Sequence, residues 1–426
     1  MITIRGAVVT GFEFAACEEV NERFGVHATS SRGAIVFDLP NAPALSEILT
    51  LRSVDSLYAV IDRRRFEAIC DKDQDTALQS ITALLVDLDW ASGLQALENV
   101  TQQSLPGGHQ RAIDALNAYR TTSAKYSGDK NGLPSYRVSC YRPGPRELHS
   151  FGSMDAARAL GNVINNCFGW PPKMDDFDIE VVLRINNSDI SVELALTKKS
   201  LHCRNIVEFG RTTLRSTICH GLLRMAAPRP GETIVDPLCG SGSIPLEAAT
   251  GWSELFVLGG DNYSVALERS AANLQAIYSS QTRPSSSVCS DEQTSSPYCS
   301  FDEPSSIATN QAKTSPTSQL RSPVAFVQWD STKLPLGNES VDCIVTDLPF
   351  GKRLRTDNRR LYPALLLEWA RVLKKDGRVA ALTHDRRNMS TILMRCKPIG
   401  RLWNIKATHN INVGGLICIA YLLTKR

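Results

Sequence analysis

Hydrophobic and polar positions alternate with two different periods at the start of the chain. Residues 3–9 and 33–39 show the two-residue period of a strand, whereas residues 13–24 and 44–51 place apolar side chains on one face of a helix. This order of strands and helices predicts a small α+β module over residues 1–88.

The pattern starts again near Trp90 and predicts a second module over residues 89–203. Residues 101–134 are polar and contain Pro106-Gly107-Gly108 and Gly132-Leu133-Pro134 as turn signals, so we expect a long loop there. The module is completed by the segments 136–141 and 155–168 and by a strand pair at 177–185 and 189–197, with Asn186-Asn187 as its hairpin turn.

From Gly231 onward, short apolar runs alternate with helical segments. The runs are 233–235, 255–258, 325–327, 343–345, 379–382 and 418–423. This alternation is typical of an α/β domain in which a mostly parallel sheet carries helices on both faces, and we assign residues 204–426 to it. Residues 279–322 interrupt the pattern with fourteen serines and few large apolar side chains, which predicts a disordered insertion.

Composition narrows the class of protein. The hydrophobic fraction of 42% and the charged fraction of 21% are typical of a globular protein, and the late apolar run 414–423 has about half the length of a membrane span. The N-terminus lacks a secretory signal pattern. Twelve cysteines occur without a Cys-x-x-Cys pair, which predicts no metal site and favours a cytoplasmic protein with reduced thiols.

The net charge of +3 is small, but the cations are clustered. One cluster holds Lys198, Lys199, Arg204, Arg211, Arg215 and Arg224 against Glu208, and a second holds Lys352, Arg353, Arg355, Arg359 and Arg360 against Asp357. Such clusters either neutralise the phosphates of a nucleic acid or form ordinary solvated surface.

A glycine-rich loop follows the apolar run 233–235 and opens a helix. It reads Asp236-Pro237-Leu238-Cys239-Gly240-Ser241-Gly242, and its two glycines allow a tight turn and a close approach of a ligand to the backbone. A dinucleotide-binding loop needs a third glycine where Pro245 stands, so that class is disfavoured. The loop suits S-adenosylmethionine, which has no phosphate and whose ammonium group Asp236 can meet.

Two further runs end in acids. Asp261-Asn262 follows run 255–258, where a carboxylate can hold ribose hydroxyls, and Asp330 follows run 325–327, where it can accept from an adenine amino group. One strand-end aspartate is usually a helix N-cap, but three at successive strand ends favour a cofactor site.

The fourth run leads into Asp347-Leu348-Pro349-Phe350. A nucleobase amino group is a weak nucleophile; Asp347 can accept one of its hydrogens, a carbonyl near Leu348 or Pro349 the other, and Phe350 can stack on the base. The turn is also compatible with a simple strand end, but after the glycine loop and two acids it predicts methyl transfer to a base amino group. Carbon-5 methylation needs a nucleophilic cysteine, and Cys343 is expected to be buried.

These motifs, in this order, resemble the THUMP domain-containing protein 3 family, the tRNA (guanine-N2)-methyltransferases. The similarity extends over nearly the whole chain and rests on the segments 9–13, 51–55, 200–205, 212–216, 236–242, 347–353 and 412–415. It implies an N-terminal ferredoxin-like module, a THUMP module that grips the acceptor end of tRNA, and a Rossmann-like methyltransferase domain. It also implies N2-methylation of an acceptor-stem guanosine and a heterodimer with a small zinc-containing activator subunit.

Residue by residue, the resemblance implies three sets of functional positions. Cofactor binding falls to Thr213, Asp236, Cys239, Gly240, Ser241, Gly242, Asp261, Asn262 and Asp330, catalysis to Asp347, Leu348, Pro349 and Phe350, and RNA contacts to Arg204, Lys352 and Arg353. The chain departs from the family pattern at Cys203, where an arginine is expected, and in the insertion 279–322. Its Asp-Leu-Pro-Phe differs from the Asn/Asp-Pro-Pro-Tyr of many amino-methyltransferases.

Two alternatives stay open at this point. The first is a sister enzyme that methylates a small nuclear RNA or another tRNA guanosine. The second is a non-catalytic RNA-binding protein that retains a methyltransferase fold.

Overall fold

The computed structural model describes residues 1–40, 42–210, 212–281, 319–349 and 357–426, whose strands form two seven-stranded sheets. The first sheet contains β1 (Ile2–Val8), β2 (Thr29–Ser31), β3 (Ala34–Leu39), β4 (Val54–Arg65), β5 (Tyr136–Tyr141), β6 (Ile179–Asn186) and β7 (Asp189–Ala195). The helices of this part are α1 (Glu13–Phe24), α2 (Ala42–Glu47), α3 (Gln74–Val86), α4 (Trp90–Thr101), α5 (His109–Thr122) and α6 (Ser153–Phe168). The strand order is β2-β3-β1-β4-β7-β6-β5.

One continuous ladder joins the two predicted N-terminal modules. β4 pairs antiparallel with β1 on one side and with β7 on the other, so strands from both modules share one sheet. Ile4, Leu57 and Leu183 belong to the same buried apolar cluster. The predicted boundary near residue 88 falls between α3 and α4, and both the ladder and the core extend across it. The first half of the chain is therefore one packed unit.

Sequence patterns located α1 at its observed bounds and most strands of this unit, but they missed β2, α3 and α4, and two further elements differ. The predicted loop at 101–134 is wrong in part, because α5 lies within it. Only Ala112 and Leu116 of that helix are fully buried, and so narrow an apolar stripe gives little signal in a polar stretch. β4 is not among the predicted strands. The hairpin between β6 and β7 is confirmed, with Asn187 at a φ of 55°.

The second sheet belongs to the C-terminal half. Its strands are β8 (Thr233–Asp236), β9 (Phe256–Asp261), β10 (Val324–Gln328), β11 (Val341–Asp347), β12 (Leu373–Thr383), β13 (Trp403–Val413) and β14 (Leu416–Lys425). Its helices are α7 (Ser216–Ala226), α8 (Ser243–Gly251), α9 (Ser264–Gln281), α10 (Asn358–Val372), α11 (Arg386–Arg395) and α12 (Lys397–Gly400). The strand order is β10-β9-β8-β11-β12-β14-β13.

The predicted α/β architecture is confirmed in this half. Pairing is parallel from β10 through β12 and antiparallel for the last two strands. Two apolar clusters cover the two faces of the sheet, one around α7 and α8 and the other around α10 and α11. Because the parallel strands point the same way, their carboxyl ends meet at one edge, where the predicted site residues lie.

Most of the predicted insertion, residues 282–318, lies outside the described residues. Its margins are packed rather than irregular: residues 279–281 complete α9, and Ser322 is buried. The Ser322 hydroxyl donates to the Trp252 carbonyl at 2.8 Å and accepts from the Leu255 amide at 2.9 Å. No described helix combines the length and the apolar character that a bilayer crossing demands.

A buried carboxylate joins the two halves of the protein. Glu247 of α8 accepts from Nε and Nη2 of Arg52 at 2.8 and 3.1 Å, and from Nε and Nη2 of Arg204 at 3.0 and 2.8 Å. Burial acts to raise the pKa of Glu247, but the two guanidinium groups hold that pKa well below its usual range. Since α8 begins at the glycine loop, these bonds tie the N-terminal unit to the helix that positions the loop.

Close packing supports the same junction. A Cβ added to Gly221 of α7 would lie 2.5 Å from Cγ of Phe12, so the ring sits directly on the helix backbone. The rings of Phe14 and His409 stack with centroids 4.7 Å apart, and the Asn412 amide donates to the Thr10 carbonyl at 3.0 Å. The junction therefore combines a charge cluster with apolar contacts to both α7 and β13.

Replacing Glu247 with glutamine is expected to lower the free energy of unfolding by about 3–5 kcal/mol, because two buried guanidinium groups lose their counter-charge. Urea denaturation followed by circular dichroism measures the loss. Glu22→Gln is the matched control: Glu22 pairs with Arg224 across the same junction, but its side chain is 60% exposed. The control should lose less than about 1 kcal/mol. Equal losses in the two variants would contradict the assigned role of Glu247.

Candidate active site

The glycine loop makes a tight turn between β8 and α8. Gly240 and Gly242 adopt φ angles of 52° and 84°, in the region that favours glycine. A Cβ at Gly240 would meet no atom within 4 Å, whereas one at Gly242 would lie 2.9 Å from the ring of Phe326. Gly242 is therefore required by packing against β10, and Gly240 leaves open space in front of the loop for a ligand.

Asp261 reaches the loop from the end of β9. Its Oδ2 accepts from the Gly240 amide at 3.1 Å and its Oδ1 from the Tyr263 amide at 3.0 Å. The Cys239 amide donates to the Gly260 carbonyl at 2.9 Å, which fixes the buried middle of the loop against the same strand. Asn262 follows on the exposed side of this contact. The predicted ribose acid thus lies at the loop.

A third contact to the loop comes from the segment before α7. The hydroxyls of Thr213 and Ser241 lie 3.0 Å apart. Asn273 of α9 donates to the Ser241 carbonyl at 3.0 Å and accepts from the Val207 and Glu208 amides at 2.8 and 2.7 Å. Asn273 is fully buried and was not identified from the sequence, because an isolated polar residue in a helix carries no local signal of such bonds.

β10 brings Asp330 to the same edge. The preceding Trp329 is buried, and its indole nitrogen donates to the Pro237 carbonyl at 3.1 Å. Asp330 itself is exposed, and its Oδ1 accepts from the amide and hydroxyl of Thr332 at 2.9 and 2.7 Å. These bonds lower the pKa of Asp330. Its contact with an adenine stays a prediction.

β11 lies beside β8 and brings Asp347 next to Asp236. Oδ1 of Asp347 is buried and has no hydrogen-bond partner among the described residues. Burial, and then the charge of Asp236, raises the pKa of Asp347 well above its usual range. Burial also raises the pKa of Asp236 to about 7, although its Oδ1 accepts from the Leu238 amide at 3.2 Å. A bound cation would stabilise the charged forms of these two adjacent carboxyl groups.

The rest of the predicted catalytic turn is only partly described. The Leu348 amide donates to the Leu382 carbonyl at 2.9 Å, which continues the β11–β12 ladder. The Pro349 carbonyl accepts from Asn358 Nδ2 and Tyr362 Oη, both at 3.1 Å. Because these bonds occupy both lone pairs of that carbonyl, the Leu348 carbonyl is the better acceptor for a second amino hydrogen. Three predicted residues, Phe350, Lys352 and Arg353, lie outside the described residues.

The burial and hydrogen bonds of Arg204 contradict its predicted role as an RNA contact. The residue is 7% exposed, and besides Glu247 it donates to the carbonyls of Arg52 and Leu201. Its guanidinium is thus used inside the protein and cannot meet a phosphate. Arg224 of the same sequence cluster also forms ion pairs within the protein, with Glu18 and Glu22. The exposed described cations of the two clusters are Lys198, Lys199, Arg215, Arg359 and Arg360.

Cys343 lies in the interior of β11 and is fully buried, as expected from the sequence. Burial raises its pKa to about 12, so the thiol stays protonated at neutral pH. It cannot serve as the nucleophile of a carbon-5 methyltransferase.

Sequence relatives place these features among methyltransferases. Residues 204–416 match the UPF0020 family, described as an RMKL-like methyltransferase domain. The tRNA (guanine(6)-N(2))-methyltransferase THUMP3 of Bos taurus is 32% identical over 485 aligned residues, covering 100% of this chain and 88% of the relative. The human U6 snRNA (guanine-N(2))-methyltransferase THUMPD2 is 25% identical over 67% of this chain and 47% of its own.

Solved structures share the whole architecture. The crystal structure of TrmN from Thermus thermophilus superposes with a TM-score of 0.66 at 20% identity and covers 100% of both chains. SMU.472, crystallised in complex with SAH, gives the same TM-score at 13% identity over 100% of this chain and 98% of its own. At these identities the likeness concerns the fold.

The paired acids predict a pH dependence for cofactor affinity. Below about pH 7 the carboxyl of Asp236 holds a proton, and a ligand whose ammonium group pairs with this carboxylate must expel that proton on binding. The affinity for S-adenosylmethionine is therefore expected to rise from about pH 6 to about pH 8. Isothermal titration calorimetry measures it, with 5′-methylthioadenosine, which lacks the amino-acid tail and its ammonium group, as the matched control. Equal pH slopes for the two ligands would be the contrary result.

Proposed function

The chain belongs to the THUMP3 family of tRNA (guanine(6)-N(2))-methyltransferases, and on that premise we propose that it methylates N2 of a guanosine in the acceptor stem of tRNA. The methyl donor is S-adenosylmethionine. Guanosine 6 is the position we assign, because it is the one named for the mammalian THUMP3 relatives.

This proposal rests on the adjacency of the glycine loop and the turn that begins at Asp347, which we call the acid turn. β8 and β11 are neighbouring parallel strands, so Asp236 at the head of the loop and Asp347 at the catalytic turn lie side by side. The residues fit the cofactor: open space faces Gly240, and a buried oxygen of Asp347 lacks a partner among the described residues. A relic fold without activity would not need these acids to stay together.

Bound S-adenosylmethionine supplies an electrophilic methyl group on a sulfonium. Asp347 accepts one hydrogen of the target amino group and draws electron density toward its nitrogen. The Leu348 carbonyl accepts the other hydrogen, so the amino group is held in one orientation, which is mainly a positioning effect. As the nitrogen–carbon bond forms, the methyl–sulfur bond would break and leave a neutral thioether, and Asp347 would take up the proton that the nitrogen releases; its raised pKa suits that role.

Recognition of tRNA is assigned to the N-terminal unit. We divide it into a ferredoxin-like module over residues 1–88 and a THUMP module over residues 89–203 that grips the acceptor end. The shared ladder of β4 and β7 and the charge cluster at Glu247 support this assignment, because a rigid connection keeps the grip at a constant distance from the acid turn. Lys352 and Arg353, together with the exposed cations near α10, are our candidates for phosphate contacts.

Transfer RNA is the preferred substrate over U6 small nuclear RNA. The likeness to the THUMP3 proteins spans the whole chain at 32% identity, whereas the likeness to the U6 enzyme spans 67% of it at 25%. The active-site residues do not distinguish the two RNAs, since both reactions modify N2 of guanine.

An exposed sheet edge is the assigned docking place for the small zinc-containing activator. Among the described strands, β10 pairs with β9 alone and forms the edge of the second sheet. Val327 of β10 is 38% exposed there, and Phe256 at the start of the neighbouring strand β9 is 58% exposed. β9 itself lies inside the sheet, between β10 and β8. A partner strand that pairs with β10 would cover both the edge and these side chains.

A cytoplasmic location is part of the proposal. The buried cysteines Cys167, Cys219, Cys239, Cys343 and Cys418 are free thiols, which fits a reducing compartment.

Asp347→Asn is expected to lower kcat for tRNA methylation by about 10²–10³-fold, because the amide cannot take up the released proton. The affinity for S-adenosylmethionine should change by less than about tenfold, since the ligand keeps its other contacts. Transfer of labelled methyl groups and calorimetry measure the two quantities. Wild-type turnover in the variant would remove Asp347 from the mechanism.

The substrate is decided in the same assay by nucleoside mass spectrometry of separately purified RNAs. Wild-type enzyme should produce N2-methylguanosine in tRNA at position 6 and none in U6 small nuclear RNA. Modification of U6 alone would transfer the assignment to the sister function, and no product with any RNA, with the activator present, would favour a non-catalytic protein.

Val327→Asp is expected to abolish co-purification with the activator subunit, because it places a charge at the centre of an apolar strand contact. Leu367→Asp on α10 is the matched control, as Leu367 is 50% exposed and lies away from that edge. Size-exclusion chromatography of the co-expressed pair measures complex formation. Retained binding in the first variant, or loss in both, would contradict docking at β10.

A further inference from the structure

Three buried polar side chains form a hydrogen-bonded group beside the Asp347 turn. We call Asn358, Tyr362 and Thr383 the carbonyl anchor, because the first two donate to the carbonyl of Pro349 and Thr383 is bonded to Tyr362. Asn358 Nδ2 and Tyr362 Oη each lie 3.1 Å from that oxygen, and Thr383 Oγ1 lies 2.8 Å from Tyr362 Oη. Asn358 and Tyr362 stand one turn apart on α10, and Thr383 ends β12.

The hydrogen bonds of the carbonyl anchor run in a single direction. The Asp385 amide donates to Thr383 Oγ1 at 2.9 Å, and a carbonyl can only accept. Tyr362 must therefore donate its one hydrogen to Pro349 and accept from Thr383. Tyr362 Oη also accepts from Asn358 Nδ2 at 3.4 Å. The Pro349 carbonyl, which cannot donate, therefore sets the direction of these hydrogen bonds.

Burial makes these groups costly unless their bonds are formed. Tyr362 and Thr383 are fully buried and Asn358 is 7% exposed. A phenylalanine and a valine would fill the same space without burying hydroxyls, so packing alone does not account for the residues that are present. Burial also raises the pKa of Tyr362, which keeps its hydroxyl protonated and able to donate.

The bonds remove the remaining freedom of the turn. The pyrrolidine ring fixes φ of Pro349, and the anchored carbonyl fixes its ψ. On the other side, the Leu348 amide is held by the Leu382 carbonyl at 2.9 Å. With both peptide planes held, Asp347 and the Leu348 carbonyl keep one spacing, although residues 350–356 are not among those described.

We propose that Asn358, Tyr362 and Thr383 are positioning residues for methyl transfer, which hold the two amino-group acceptors at the spacing that the reaction needs. They touch neither the cofactor loop nor Asp347 through any described hydrogen bond, and they act through the Pro349 carbonyl. The inference rests on the proposed function, since it assumes that the Asp347 turn receives a base amino group.

Tyr362→Phe tests the inference, because it deletes one oxygen and keeps the buried ring. We expect kcat for tRNA methylation to fall by about 10–100-fold, in line with the cost of small displacements of reacting groups. The affinity for S-adenosylmethionine and KM for tRNA should stay within about twofold, because neither ligand loses a contact. Labelled methyl transfer at saturating substrate and calorimetry separate these quantities.

Tyr136→Phe is the matched control. Tyr136 is 3% exposed in the first sheet, and its hydroxyl donates to the Gly161 carbonyl at 2.7 Å, so it loses the same kind of bond far from the turn. Both variants should show a similar drop in melting temperature, and only Tyr362→Phe should lose kcat. Thr383→Val should lose kcat in the same direction, and Thr383→Ser, which keeps the hydroxyl, should restore most of it.

The outcomes distinguish a failure of the proposed function from a failure of the positioning role. Wild-type enzyme that methylates no RNA would overturn the proposed function. An active wild type whose Tyr362→Phe and Thr383→Val variants keep kcat would overturn the positioning role alone. If Tyr362→Phe does not fold, the comparison of Thr383→Val with Thr383→Ser decides the question. Equal kcat losses in Tyr136→Phe and Tyr362→Phe would reduce the carbonyl anchor to an ordinary stabilising contact.

Discussion

The arrangement of this protein depends on one buried carboxylate held between two guanidinium groups. Removing Glu247, Arg52 and Arg204 from water is costly, and only well-aligned, two-point hydrogen bonds recover that cost. Such bonds tolerate little rotation, so they specify how the N-terminal unit sits on the catalytic domain. Apolar contacts such as Phe12 on Gly221 add binding energy but restrict angles less.

A second constraint follows from the first. Glu247 lies in the helix that begins at the glycine loop, and that loop is bonded to Asp261 on the next strand. Asp236, at the head of the loop, in turn faces Asp347 across neighbouring parallel strands. The N-terminal unit is therefore connected to the two acids through α8 and the glycine loop.

The predictable part of the site is the part encoded by strand ends. Asp236, Asp261, Asp330 and Asp347 follow apolar runs, and parallel topology alone brings such positions together at one edge. Partners that come from distant parts of the chain leave no such trace. Arg204 meets Glu247 across 43 positions, so its local sequence looked like part of a basic patch.

The hydrogen-bond partners of polar residues in helices also could not be predicted from the sequence. Tyr362 and Asn358 occupy α10 as ordinary members of a helix, and their shared acceptor becomes visible only when the turn and β12 are assembled around them. The same holds for Asn273, whose side chain joins two segments that are distant in sequence. Periodicity indicates which face of a helix is buried. It does not indicate which buried polar groups are hydrogen-bonded to each other.

The ladder between β4 and β7 limits how this protein can be divided or recombined. A cut between residues 88 and 89 would leave the twelve residues of β4 as an open edge, and unpaired edges of that length promote self-association. Exchanging one N-terminal module for that of a relative would also mismatch a shared core. During evolution the two modules are therefore expected to have been inherited as a pair, with sequence drift in one compensated by drift in the other.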